Sequence, residues 1–121
     1  YILEHYGNLD VELRASIALA DVAGERFAAA AALGNALTQD ERTVAAAAIY
    51  AAKVHSSRTA LEVTSRIFEL MGARATAGKH GYDRFWRNIR THTLHDPVVY
   101  KSREVGNYAL NGVITPTPLY S

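Results

Sequence analysis

No cysteine occurs in the 121 residues, and proline, methionine and tryptophan are scarce, at three, one and one. Without thiols the chain can build neither a disulfide framework nor a thiolate zinc site. An excess of one charge is missing too: 13 Lys and Arg stand against 12 Asp and Glu, a formal net charge of +1. Nucleic-acid binding rests on clustered cations that neutralise phosphates, so this balance argues against a nucleic-acid partner. Long hydrophobic runs are absent as well. The most apolar window, 27–37, is mostly alanine and falls short of the ~20 residues needed to cross a bilayer, so no membrane segment is expected. The chain begins at Tyr1 without an initiator Met, a basic leader or an apolar signal core, and is expected to be a piece of a longer protein.

What is present is enough apolar surface for one helical domain: 49% of residues are hydrophobic, with alanine prominent, and 21% are charged. Leu9, Leu13, Ile17, Ala20, Gly24, Phe27 and Ala31 recur at helical spacing. They predict a first helix over Leu9 to about Ala32, ended by Gly34-Asn35, with this stripe buried. Gly24 in mid-helix predicts close approach of a neighbouring backbone. Thr38-Gln39-Asp40-Glu41 has the form of a capping box and predicts the start of a second helix. Its buried seam reads as Ala47, Val54, Leu61 and Phe68 alternating with Tyr50, Ser57, Thr64 and Met71, and Met71-Gly72 ends it. Phe27, Tyr50, Phe68 and Phe85 are the expected space-fillers among the small residues.

Gly72 to Gly81 reads as a connecting loop. A third helix is expected over Tyr82 to about Leu94, and a fourth, with Asp96 as N-cap and Pro97 at its first turn, to about Leu110. Val113 to Ser121, with Pro116 and Pro118, reads as an extended tail. No segment alternates convincingly as a strand, so the fold class is all-α, an antiparallel helical bundle.

The segment 82–97 differs in chemistry from what precedes it, concentrating Arg84, Arg87, Arg90, the sole tryptophan Trp86, His92, His95 and the Asp96-Pro97 break. His92 and His95 stand three apart, on one face if the helix persists, with Asp96 next to them. Two imidazoles and a carboxylate are a conceivable open metal site, but the spacing lacks the zincin pattern, so no metal is assigned. Structural capping is the plain alternative. An acid/base or cofactor-orienting role also suits histidine, whose charge changes near neutral pH. The arginine stripe is explained by salt bridges or a bound anion.

At these residues the chain resembles a known family. The run Asp83-Arg84-Phe85-Trp86-Arg87-Asn88-Ile89-Arg90-Thr91-His92-Thr93-Leu94-His95-Asp96-Pro97-Val98 is followed by Tyr100-Lys101, Gly106-Asn107-Tyr108 and Asn111-Gly112. It is similar to the C-terminus of flavin-dependent monooxygenases of the acyl-CoA dehydrogenase superfamily, in the dibenzothiophene monooxygenase branch. Arg66-Ile67-Phe68-Glu69-Leu70-Met71-Gly72-Ala73-Arg74-Ala75-Thr76 resembles the helix and glycine loop before it.

The resemblance implies that residues 1–121 are a single partial domain, the helical C-terminal bundle lacking its first helix and the upstream domains. It implies a cytoplasmic homotetramer that takes reduced FMN from a separate flavin reductase, with FAD as the other candidate flavin. Such enzymes form a C4a-hydroperoxyflavin that oxygenates a sulfur- or nitrogen-containing small molecule. By match to the motif, His92 and His95 are the expected catalytic pair and Asp96 an orienting or flavin-contacting group, while Arg74, on the glycine loop, is expected at the flavin phosphate or a neighbouring subunit. One alternative is an acyl-CoA dehydrogenase-type oxidoreductase with Asp96 at the position of the base. Another, for the isolated chain, is a non-catalytic helical oligomerisation module.

Overall fold

Two long helices form the frame of the computed structural model, which describes residues 1–115: α1 over Ile2–Leu33 and α2 over Gln39–Met71. A short 3₁₀ turn, Gly34–Ala36, links them, and Gly34 enters it at φ 52°. The capping box closes as the sequence predicts. The Glu41 amide donates to Thr38 Oγ1 at 3.2 Å, and the Thr38 amide donates to the Glu41 carboxylate at 3.1 Å. Two otherwise orphaned donors are thereby satisfied where α2 begins.

After α2 a second 3₁₀ turn, Ala73–Thr76, lies within the expected loop, followed by α3 over Asp83–His95 and α4 over Val98–Asn111. Gly112, at φ 69°, takes the left-handed position that closes α4, and its amide donates to the Tyr108 carbonyl at 2.8 Å. Of the expected tail, 113–115 have no regular structure, and 116–121 lie outside the described residues.

The contacts set the topology. His5 meets Glu69 while Glu12 and Ser16 meet His55, so α1 and α2 run antiparallel. Tyr82 and Phe85 lie beside Met71, His92 reaches Lys53, and Lys101 reaches Tyr50. Both α3 and α4 therefore descend along α2 in the same sense, end to end, as one arm broken at Asp96-Pro97. The bundle is all-α, with α2, about 50 Å long at the usual helical rise, packed against all three other helices.

Several expectations are corrected. α1 starts at Ile2, seven residues ahead of the predicted Leu9. Its buried residues are Leu9, Ser16 and Ala23, whereas Leu13, Ile17 and Phe27 are exposed, Phe27 by 62%. The apolar stripe and the packed face differ because α2 presents small side chains, including buried Ala45 and Ala47, together with the polar ring of His55. The complementary face of α1 is the small and polar one. A Cβ at Gly24 would meet nothing within 4 Å, so that glycine serves no close approach here. Phe85 is exposed by 50% and Met71 by 40%, and neither fills the core, while Tyr50 and Phe68 are half-buried.

The buried apolar set, Leu9, Ala23, Ala45, Ala47 and Ala75, is thin, and the chain exposes 8645 Å². A compact monomer of this mass exposes about 6,400 Å². The excess lies on elongated helices whose large apolar side chains, Ile2, Leu3, Ile17, Phe27 and Leu110 among them, face outward.

Candidate functional site

The junction of α3 and α4 is dictated by Pro97. A residue preceding proline is pushed from the helical region, and Asp96 accordingly sits at φ −122°, ψ 88°, ending α3. The expected capping role of Asp96 is not realised. Pro97 is the N-cap of α4 without any side-chain cap bond, and the Asp96 carboxylate turns instead to α2, where Lys53 Nζ lies 3.4 Å away.

The same ammonium lies 2.9 Å from His92 Nε2. Lys53 thus bridges the histidine and the aspartate, its side chain only 18% exposed between them. An ammonium has donors and no acceptor, so in this contact the His92 ring nitrogen is on the accepting side.

His95 stands one turn beyond His92 and is exposed. The other histidines have partners. His5 faces Glu69 at 3.5 Å, His55 lies between Ser16 and Glu12, His80 stacks on Tyr82 at 5.2 Å, and His92 takes Lys53. Among the described residues, His95 alone of the five has no hydrogen bond, ion pair or ring partner.

An open groove of about 360 Å³ at the α3–α4 junction is lined by Ser57, Arg58, Leu61, Arg90, Leu94 and Val98, and His92, His95 and Asp96 are not among its lining residues. The arginine stripe divides. Arg87 pairs with Asp83 at 2.7 Å, and this hydrogen bond holds the Asp83 carboxyl below its usual range. Arg84 lies over the Phe85 ring at 4.8 Å, and Arg90 faces the groove.

Arg74 is not brought to the cluster. It is exposed on the Ala73–Thr76 turn just past α2, and Lys53 lies about 27 Å back along that helix at ~1.5 Å per residue. Of the expected site residues, His92 and Asp96 both meet Lys53, a residue the sequence reading did not single out, while His95 and Arg74 do not contact this cluster. A signal was available: Lys53 is the only Lys, Arg, Asp or Glu between Arg42 and Arg58, a lone charge on an alanine-rich helix.

Comparison with known proteins agrees with this architecture. Residues 4–99 match the family model described as acyl-CoA dehydrogenase, C-terminal domain, and the chain belongs to that family. It is 52% identical over 111 residues to dibenzothiophene monooxygenase of Mycolicibacterium goodii, covering 92% of this chain and 27% of that protein. It is 46% identical over 121 residues to the probable FMNH2-dependent monooxygenase SfnC of Pseudomonas putida, covering 100% of this chain and 31% of that protein. Among solved structures, methanesulfinate monooxygenase MsuC of Pseudomonas fluorescens superposes with a TM-score of 0.94 at 45% identity, over 100% of this chain and 31% of that one. The chain thus spans under a third of the length of these relatives.

Proposed function

We propose that this chain is the C-terminal helical part of a reduced-flavin-dependent monooxygenase that oxygenates a sulfur- or nitrogen-containing small molecule, sulfur being favoured by the dibenzothiophene and methanesulfinate enzymes it resembles. The observation that carries the reading is that Lys53 holds His92 while His95, one turn further on, is exposed and has no side-chain partner among the described residues. The cofactor is FMN, as in the FMNH2-dependent relative. A separate flavin reductase supplies it reduced, and the intact protein is a cytoplasmic homotetramer. The outward apolar side chains of α1 support an oligomer.

The residues present fit one wall of a flavin site. His95 offers ring nitrogens at the surface, and a groove at the α3–α4 junction combines apolar side chains with the guanidinium groups of Arg58 and Arg90, which suit an anionic group. Reduced FMN, when bound, supplies the electrons that activate dioxygen. Oxygen transfer to a substrate would leave the second oxygen atom to depart as water, and that departure would need a proton. His95 supplies that proton from a ring N–H, and His92 supports it from the preceding turn. The Asp96 carboxylate is committed to Lys53, which favours an orienting role over abstraction of a substrate proton. Arg74, away from this wall, is assigned to flavin phosphate or a neighbouring subunit.

The test supplies the intact protein with photoreduced FMN, 18O-labelled dioxygen and dibenzothiophene or methanesulfinate. Label in an S-oxygenated product is expected. Reduction of protein-bound flavin by an acyl thioester, without a reductase and without oxygenated product, would overturn the reading in favour of a dehydrogenase.

A further inference from the structure

We propose that Lys53 is a positioning residue of this site, holding His92 as the Nδ1–H tautomer and Asp96 in one orientation, so that proton transfer is left to His95. The proposal rests on the monooxygenase reading for its catalytic consequence and on geometry for its physical content.

Three observations carry it. Lys53 Nζ is 2.9 Å from His92 Nε2 and 3.4 Å from the Asp96 carboxylate. Lys53 projects from the middle of the 33-residue α2, a rigid element independent of the α3–α4 junction that it contacts. It is also largely covered, although lysine usually keeps its charge in water, and the carboxylate partner offsets the cost of that burial.

The chemistry follows from the donor inventory. Free imidazole in water favours the proton on Nε2, but an ammonium donating to Nε2 reverses that preference. His92 then has a ring donor at Nδ1 and no free acceptor nitrogen, so it can orient a neighbour but cannot cycle as an acid and base. Without Lys53, His92 Nε2 loses its donor and is free to carry the ring proton, so His92 is no longer held as an Nδ1–H donor.

Neutron diffraction from crystals of the intact protein at pH about 8.5, two units above the ordinary histidine value, reads these protons directly. Deuterium is expected on His92 Nδ1 and not on Nε2, with Lys53 carrying three. In Lys53→Met the deuterium moves to Nε2, whereas Lys53→Arg, which retains a cationic donor, keeps it on Nδ1. With reduced FMN, Lys53→Met lowers the fraction of oxidised flavin that yields oxygenated product by about tenfold, and Lys53→Arg recovers most of it. Deuterium on Nε2 in the parent protein, an unmoved proton in Lys53→Met, or unchanged coupling in Lys53→Met each overturns the proposal. If the parent protein makes no oxygenated product while the Nδ1 proton is seen, the monooxygenase reading fails and the tautomer assignment stands.

Discussion

His55 of α2 receives the Ser16 hydroxyl of α1 at 2.7 Å on Nδ1, while its Nε2 donates to the Glu12 carboxylate at 3.0 Å. Glu12 and Ser16 lie one turn apart on α1, so a single ring on α2 registers two positions of its neighbour. The same nitrogen, Nδ1, lies 3.4 Å from Thr59 Oγ1, and Ser16 and Thr59 are both buried. With so few large apolar residues buried between the helices, this polar contact sets which face of α1 meets α2.

Replacing His55 with Ala is therefore expected to weaken the α1–α2 pairing by about 1–3 kcal/mol, since it strands the buried Ser16 hydroxyl and removes a hydrogen bond to a carboxylate. Urea denaturation checks this. A midpoint equal to that of the parent would show that the helices keep their register without the ring.

Thr38→Ala should cost about 1 kcal/mol by removing the acceptor for the Glu41 amide. Hydrogen exchange localises the effect: protection falls in the first turn of α2 and remains at Lys53 and beyond. Uniform loss along α2 would mean that the cap acts on the whole helix.

The Glu104 carboxyl is held below its usual value, chiefly by the backbone N–H of Thr115 donating at 2.7 Å, with Arg103 contributing less and burial opposing. A group whose folded value is depressed adds stability that is present above its unfolded value of ~4.3 and is lost as pH falls through the folded one. The segment 113–115 is thus expected to stay attached to α4 at neutral pH and to release in acid. Exchange of the Thr115 amide followed from pH 7 downward reads this, and Glu104→Ala, which removes the acceptor, should show fast exchange throughout. An amide equally protected in Glu104→Ala would remove the carboxylate from the explanation.

In the intact protein His95→Ala should lower oxygenated product per flavin oxidised by about 10²-fold, the range of a general acid, and raise hydrogen peroxide release correspondingly. Peroxide and product are measured together in one assay. Coupling equal to that of the parent would remove His95 from proton transfer.

Much of the fold was legible because its signals are local. The capping box at Thr38, the stop at Met71-Gly72, the break before Pro97 and the left-handed Gly112 each act through a few adjacent residues, and each is found where the sequence places it. The cap of α4 differs from the expectation because Pro97, and not Asp96, takes the N-cap position, and the Asp96 carboxylate meets Lys53, 43 positions away. The face of α1 was misread because hydrophobic periodicity finds the most apolar side of a helix. Packing here selects the side with small residues and hydrogen-bond partners, and leaves Ile17 and Phe27 outward.

By itself the sequence determined an all-α chain, where its helices stop, and the run from Arg90 to Pro97 that links it to a family, since capping, helix propensity and motif identity depend on neighbours along the chain. The tertiary structure alone decided that α3 and α4 form one broken arm, that Lys53 contacts both His92 and Asp96, and that His95 has no side-chain partner among the described residues. Those facts depend on how one long helix is rotated and slid against another. That rotation is set by the close fit of small side chains and a few interhelical polar bonds, which no short stretch of sequence contains.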